Sequence, residues 1–360
     1  MTPDNPSETG PIALLWDVGT AYELFVSLSV LHQTEQHGLR PSWAAGVRSR
    51  IPSAERKFLE EIIPFMGCCP APWIYRLPQP KDAINAIWAL RQIPAEQRMI
   101  EMMGVEQWDK PDIRDIVLKI TAQRSWSNRD RAAFKEVFTE KHQTVEPQAI
   151  DRYLDWWARP DEFGEAMVNA LQAYHLAFFS EEEKRVAPIL QAGLERAQEK
   201  AQRMSVPDLI VDLSQGLRFD DLKVKELVLV PAFWTTPLVV MDEIDENRGI
   251  MLFGARPANM SAIPGELVPD GLVQALKALA DPTRLKIIHF LAHEELTPSE
   301  LARRLSLRAP TLTHHLSELR LARLVNLKLR GQEKLYSARL EGILGAFDNL
   351  QDFLKTSDEK

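Results

Sequence analysis

Apolar residues recur along this chain in three successive rhythms. Ile12-Ala13-Leu14-Leu15-Trp16-Asp17-Val18 is a short apolar run that predicts a strand. Tyr22, Phe25, Leu28 and Leu31 then recur at helical spacing, so a helix to about residue 37 is expected, with Thr20 and Glu23 as its capping box. A period of 3.6 runs from Ser53 to Met204 and predicts helices over 53–65, 82–92, 95–103, 111–124, 128–141, 147–157 and 163–204, the last broken near Ser180. Prolines and Ser, Asn or Asp starts separate them, and no fixed-length repeat is evident. After Pro207 the rhythm shortens to apolar runs at 226–231, 237–241 and 249–254, three strands that the one at Ile12 could join. Pro257, Pro264, Gly265, Pro269 and Gly271 then mark a linker.

Beyond the linker the signals become specific. Helices are expected over 272–279 and from Asp281-Pro282 to about His293. In Leu296-Thr297-Pro298-Ser299-Glu300-Leu301, Thr297 can accept a hydrogen bond as N-cap, Pro298 has no N–H to leave unpaired, and Glu300 can reach back to the Thr297 N–H. Leu296 and Leu301 are placed as the hydrophobic staple. After a turn at 305–308, Leu312, Leu316 and Leu319 repeat at i, i+4 and i+7 while the other face carries hydroxyls, imidazoles and an arginine. Two short helices joined by a tight turn describe a helix-turn-helix. The alternating stretches 324–329 and 334–338, around the glycine turn 330–333, predict a β-hairpin wing. The fold expected is therefore α+β and mostly α: a mainly helical N-terminal domain with a small sheet (11–256), a linker (257–270) and a C-terminal winged helix-turn-helix (271–356).

Charge sharpens this. The net charge is −8. From Glu300 to Arg339, however, Arg303, Arg304, Arg308, Arg320, Arg323, Lys328, Arg330, Lys334 and Arg339 face only Glu300, Glu318 and Glu333, a local excess of positive charge where a polyanion could sit.

The runs Leu276-Lys277-Ala278-Leu279-Ala280-Asp281-Pro282-Thr283-Arg284-Leu285, Ser299-Glu300-Leu301-Ala302 and Thr311-Leu312-Thr313-His314-His315-Leu316, followed by Tyr336, resemble the arsenic-repressor (ArsR-type) family of bacterial winged-helix regulators. The match covers roughly the last quarter of the chain. It implies a dimeric regulator of transcription, commonly a repressor released by an effector, with double-stranded DNA as its partner. Metal-sensing members carry a cysteine pair where this chain has Thr297 and Ser299, so that thiolate site is absent and no metal or other cofactor is expected. The recognition helix also departs by opening Arg308-Ala309-Pro310, which shifts base reading onto Arg308, Thr311, Thr313 and His314. Arg303, Arg304, Lys328, Arg330 and Lys334, with Gln332 at the wing turn, complete the expected DNA-binding set; the alternative for these charges is an ordinary solvated face.

Other candidates carry less. Cys68 and Cys69, the only cysteines, could hold a soft metal or act as a redox switch, or could simply end a helix at Pro70 with one thiol buried. His289 and His293, at i and i+4, could share a metal but also suit a helix C-terminus. All nine tryptophans precede residue 235 and could line an apolar pocket for an unknown small-molecule effector, or belong to the core. Asp17-Val18-Gly19-Thr20 resembles the phosphate hairpin of sugar kinases, but a helix rather than a second strand follows. The stripe Ile343, Leu344, Phe347, Leu350, Phe353 and Leu354 is expected either to pack within the subunit or to form a homodimer seam.

No apolar run approaches a membrane span and residues 1–10 have no signal pattern, so a cytoplasmic location is expected. No catalytic motif stands out, and no enzyme activity is expected. The alternatives to a DNA-binding repressor are a protein-docking or dimerisation module on an uncharacterised domain, and an enzyme with a fused DNA-binding module.

Overall fold

The computed structural model describes residues 12–108, 111–139, 147–220, 222–331 and 333–355. The chain divides into two compact units, one of residues 19–34 and 40–187, the other of residues 1–18, 35–39 and 188–360. Residues 257–270 lie within the second of these units, together with the small sheet and the winged helix.

The first unit is helical. Its helices are Thr20–His32, Pro41–Arg48, Ser53–Ile62, Ala71–Arg76, Ala83–Gln92, Arg98–Met103, Pro111–Gln123, Asn128–Thr139, Pro147–Trp157 and Pro160–Tyr174. The break expected near Ser180 is a π-helical turn at His175–Phe179, after which the helix resumes as Ser180–Ala201. Asp82 caps its helix by accepting from the Asn85 N–H at 2.8 Å. Thr20 does not cap: Gly19 takes the N-cap position, and the Thr20 hydroxyl donates instead to Glu183 Oε1 at 2.5 Å. A half-buried carboxylate from 163 positions away thus displaces the local capping box. Gly164 lets its helix approach the Ala95–Gln97 turn, where a Cβ would lie 2.0 Å from the Ala95 carbonyl oxygen. Trp157, Tyr153, Phe163, Tyr174 and Phe179 fill the interior.

The second unit holds two sheets. Strands β1 (Ala13–Trp16), β2 (Leu217–Phe219), β3 (Glu226–Ala232), β4 (Val240–Asp245), β5 (Arg248–Gly254), β6 (Val325–Arg330) and β7 (Glu333–Ala338) form one sheet in the order β1-β3-β5-β4 and another in the order β2-β6-β7. The Ile12 strand does join the later ones: Leu14 pairs with Leu227 in parallel register. β3 also runs parallel to β5, and both are buried almost throughout, which is why their sequences are continuously apolar rather than alternating. β4 begins at Val240, not at 237 as expected; Pro237 has no N–H to give the ladder. The helix Val206–Leu213 packs Leu209, Ile210 and Leu213 against Leu227, Leu229, Met251 and Phe253. Each such buried side chain contributes roughly 1.5–3 kcal/mol.

The expected linker is pinned. Asp270 accepts from Ser261 Oγ at 3.0 Å and from the Ala262 N–H at 2.6 Å, and Arg256 stands 3.7 Å from it. Among the described residues no helix is long and apolar enough to cross a membrane.

Candidate nucleic-acid interface

The C-terminal module comprises the helices Asp270–Leu279, Pro282–Leu291, Pro298–Leu305, Ala309–Leu321 and Leu340–Lys355, with β6 and β7 as the wing. Its core joins Ile287, Leu291, Leu296, Leu301, Leu312, Leu316 and Leu319. Local chemistry sets each entry. The Glu300 N–H donates to Thr297 Oγ1 at 3.3 Å while the Thr297 N–H donates to Glu300 Oε2 at 2.8 Å, completing the reciprocal cap. These bonds hold the Glu300 carboxyl below its ordinary range. Leu296 and Leu301 are both buried beside it, and Leu296 is further tied to Tyr336 by paired backbone bonds of 2.9 and 2.8 Å. Ser306, at φ 54°, turns the chain between the two helices of the motif.

Arg284 ties these parts together. Its guanidinium donates to the Ala278 and Lys277 carbonyls, the exposed C-terminal acceptors of the preceding helix, and lies 3.8 Å from Glu318 on the recognition helix. Asp281 accepts the Arg284 N–H at 2.9 Å, which holds that carboxyl low.

On the recognition helix Ala309–Leu321, burial of Leu312, Leu316 and Leu319 leaves Thr311, Thr313 and His314 exposed on the outer side. Arg308 occupies the N-cap position without a capping side-chain bond, so its guanidinium is not engaged there. Thr313 Oγ1 donates back to the Ala309 carbonyl at 3.0 Å. His315 is half-buried, and its Nδ1 meets no partner among the described residues.

The cations expected at phosphates fall into two groups. Arg303, Arg308 and Lys334 are exposed and bonded to no carboxylate among the described residues, although Arg303 lies within electrostatic reach of Glu300. The others have acidic neighbours: Arg304 is doubly bonded to Glu294, one bond measuring 3.0 Å; Lys328 lies 3.5 Å from Asp220 and 3.9 Å from Glu295; and Arg330 Nε donates to Asp220 at 3.1 Å. Arg330 and Lys328 hold the Asp220 carboxyl below its usual range. Gln332 lies outside the described residues. Sequence reasoning missed Asp220 and the strand that ends just before it: β2 adds to β6 in parallel, Leu217 opposite Leu327, and the Asp220 N–H donates to the Leu329 carbonyl. Three residues after Gly216 carry little local signal of a strand.

Elsewhere, Cys69 is buried, and burial pushes the Cys68 thiol up to about 11, away from the low value that favours a reactive thiolate. The rings of His289 and His293 lie 5.1 Å apart, but among the described residues no third ligand joins them. Of the tryptophans, Trp157 is core, whereas Trp156 lines a cleft of about 520 Å³ with Phe58, Glu61, Arg152, Asp155 and Arg159. That cleft is charged rather than apolar: Trp156 Nε1 donates to Glu61 at 3.0 Å and the Arg159 guanidinium stacks 4.8 Å over its ring.

Comparison with known proteins falls on this module. A helix-turn-helix domain family matches residues 279–328. The regulator KmtR of Mycobacterium tuberculosis is 39% identical over 70 residues, 19% of this chain and 52% of KmtR, so the chain spans about half of that relative's length. The nodulation protein NolR of Rhizobium meliloti is 34% identical over 95 residues, 26% of this chain and 78% of NolR. The arsenical resistance operon repressor of Staphylococcus xylosus is 34% identical over 84 residues, 23% of this chain and 80% of that repressor. With the capped helix-turn-helix and the wing already in place, these similarities settle the family: through its C-terminal module the chain belongs to the ArsR-type winged-helix regulators.

Proposed function

We propose that this chain is a transcriptional repressor that binds operator DNA as a homodimer. The observation that carries the reading is the recognition helix: Thr311, Thr313 and His314 project from a helix held by Leu312, Leu316 and Leu319, flanked by the exposed cations Arg303, Arg308 and Lys334. Hydroxyls and an imidazole suit base edges, and flanking guanidinium and ammonium groups suit phosphates. Symmetric dimerisation would present two such helices about one helical turn of DNA apart. Leu340, Leu344, Phe347 and Leu354, all more than half exposed on the last helix, supply an apolar face for that seam. The region 11–256 is assigned a sensing or interaction role for an effector, and 271–356 DNA binding and dimerisation.

Fluorescence anisotropy against the promoter fragment upstream of its own gene and a shuffled duplex, at several salt concentrations, tests this. A preference of ~10³-fold with a steep salt slope is expected. A second reading, a protein-docking module, is favoured by Asp220 and Glu294, which already occupy three of the cations. Absence of binding to any duplex at low salt would select it.

A further inference from the structure

The C-terminal end of the recognition helix carries a group of guanidiniums outside the proposed DNA-binding set. Arg320 lies in its last turn, Arg323 just beyond it and Arg339 at the end of the wing. Arg339 Nη1 donates to the Arg323 carbonyl at 3.3 Å and lies within electrostatic reach of both other guanidiniums. Arg320 Nη1 and Arg323 Nε are shielded from solvent and meet no acceptor among the described residues. Arg256 adds a fourth positive charge near Arg323. Asp212 and Glu341 act on Arg339, Asp270 pairs with Arg256 and Tyr336 acts on Arg320; among the described residues no carboxylate faces Arg320 or Arg323. Burial with like charges nearby brings Arg323 down to about 10.

A second feature points the same way. Arg323 has φ 60°, in the left-handed region that glycine adopts freely and an arginine adopts at a cost of order 1–3 kcal/mol. A strained backbone here delivers a long cationic side chain into a place that already holds two. Packing alone would be better served by glycine. Buried like charges are costly unless a counter-charge meets them.

We propose that Arg320, Arg323 and Arg339 form a binding site for a small phosphate-bearing anion at the C-terminal end of the recognition helix. A multivalent oxyanion fits better than a monocarboxylate, since its several oxygens can accept from more than one guanidinium fork and its charge offsets more than one cation. The unpaired nitrogens are shielded from solvent, so a small free anion suits them better than the bulky backbone of a duplex. Occupancy would act on the helix that reads DNA, through a residue of that helix.

The test is thermal unfolding of the full chain with inorganic phosphate, pyrophosphate or chloride at matched ionic strength, in the wild type and in Arg323→Gly and Arg320→Gln. Saturable rises in midpoint with the phosphates, absent with chloride, are expected in the wild type and lost in both variants. Arg323→Gly relieves the positive φ, so the unliganded variant should unfold no earlier than the wild type. General salting-out stabilisation by phosphate is not saturable and would be the same in all three proteins. An equal response in wild type and Arg323→Gly, or no saturable response in the wild type, would overturn the site. A duplex oligonucleotide whose stabilising effect disappears in Arg323→Gly would assign these guanidiniums to the DNA backbone, overturning it as well.

Discussion

Asp220 accepts a hydrogen bond from Arg330 Nε at 3.1 Å, across 110 positions of sequence. The same carboxylate lies 3.5 Å from Lys328, so one acid beside β2 partly neutralises two wing cations that the sequence assigns to phosphate. Its effect on DNA binding follows from charge alone. Asp220→Asn should raise affinity for every duplex by about two- to five-fold and steepen the salt dependence. Titrations at two ionic strengths check this; unchanged or weaker binding would mean the wing stays off the DNA.

Arg303 and Thr313 should separate the two kinds of contact. Arg303→Ala should weaken specific and shuffled duplexes alike and reduce the salt slope by about one. Thr313→Ala should leave the slope alone and reduce preference for the operator by about ten-fold, since its hydroxyl can leave the Ala309 carbonyl for a base edge. Competition binding with both duplexes distinguishes the outcomes. Identical profiles for the two variants would contradict the division of roles.

The Thr297 cap has a mechanical rather than a chemical part. Thr297→Ala removes the acceptor for the Glu300 N–H and should destabilise the Pro298–Leu305 helix by about 1 kcal/mol. Faster amide exchange confined to that helix and its core neighbours is the expected readout.

Phe347→Asp places a charge on the exposed apolar face of the last helix. If that face is the seam between copies, sedimentation equilibrium should show monomers at concentrations where the wild type is dimeric, with a loss of at least ten-fold in affinity for a two-half-site duplex. A variant with unchanged mass and affinity would move the seam elsewhere.

Acid should destabilise the chain through two histidines. Burial takes both His32 and His37 down to about 4, and His32 Nδ1 is bonded to the Leu28 carbonyl at 2.8 Å. In the unfolded chain each would protonate near its ordinary value of about 6.5, so between there and about 4 the unfolded state binds more protons. Their contribution is therefore complete above pH 6.5 and is lost as pH falls toward 4, on the order of 3 kcal/mol each at most. Unfolding midpoints from pH 7.5 to 4.5, compared with His32→Gln, measure it; a variant with the same acid sensitivity as the wild type would refute the His32 share.

What was legible in the sequence is what neighbouring residues decide. Thr297 and Glu300 are three positions apart, and Leu312, Leu316 and Leu319 lie on one helix, so the motif, its cap and its exposed face follow from spacing. The alternation at 324–329 and 334–338 likewise gave the wing. The misses involve distant partners. Thr20 loses its capping role to Glu183, and Lys328 and Arg330 acquire an acid neighbour from β2; neither relationship leaves a mark within a window of ten residues. Arg304 shows a nearer version of the same blindness, since a charge count from Glu300 onward stops short of Glu294.

The pairing of β2 with β6 also bears on where this protein can be cut. A fragment starting at residue 271 would keep every helix from Pro282 onward and both wing strands, and by length it would look like a complete small regulator. It would lack Gly216, whose carbonyl takes the Leu327 N–H at 2.8 Å, and Asp220, whose N–H serves the Leu329 carbonyl. The outer margin of β6 would then be an open row of donors and acceptors, a template for pairing with another copy. Such a fragment should stick to itself side by side through its wings, making the shorter protein the poorer reagent for studying DNA.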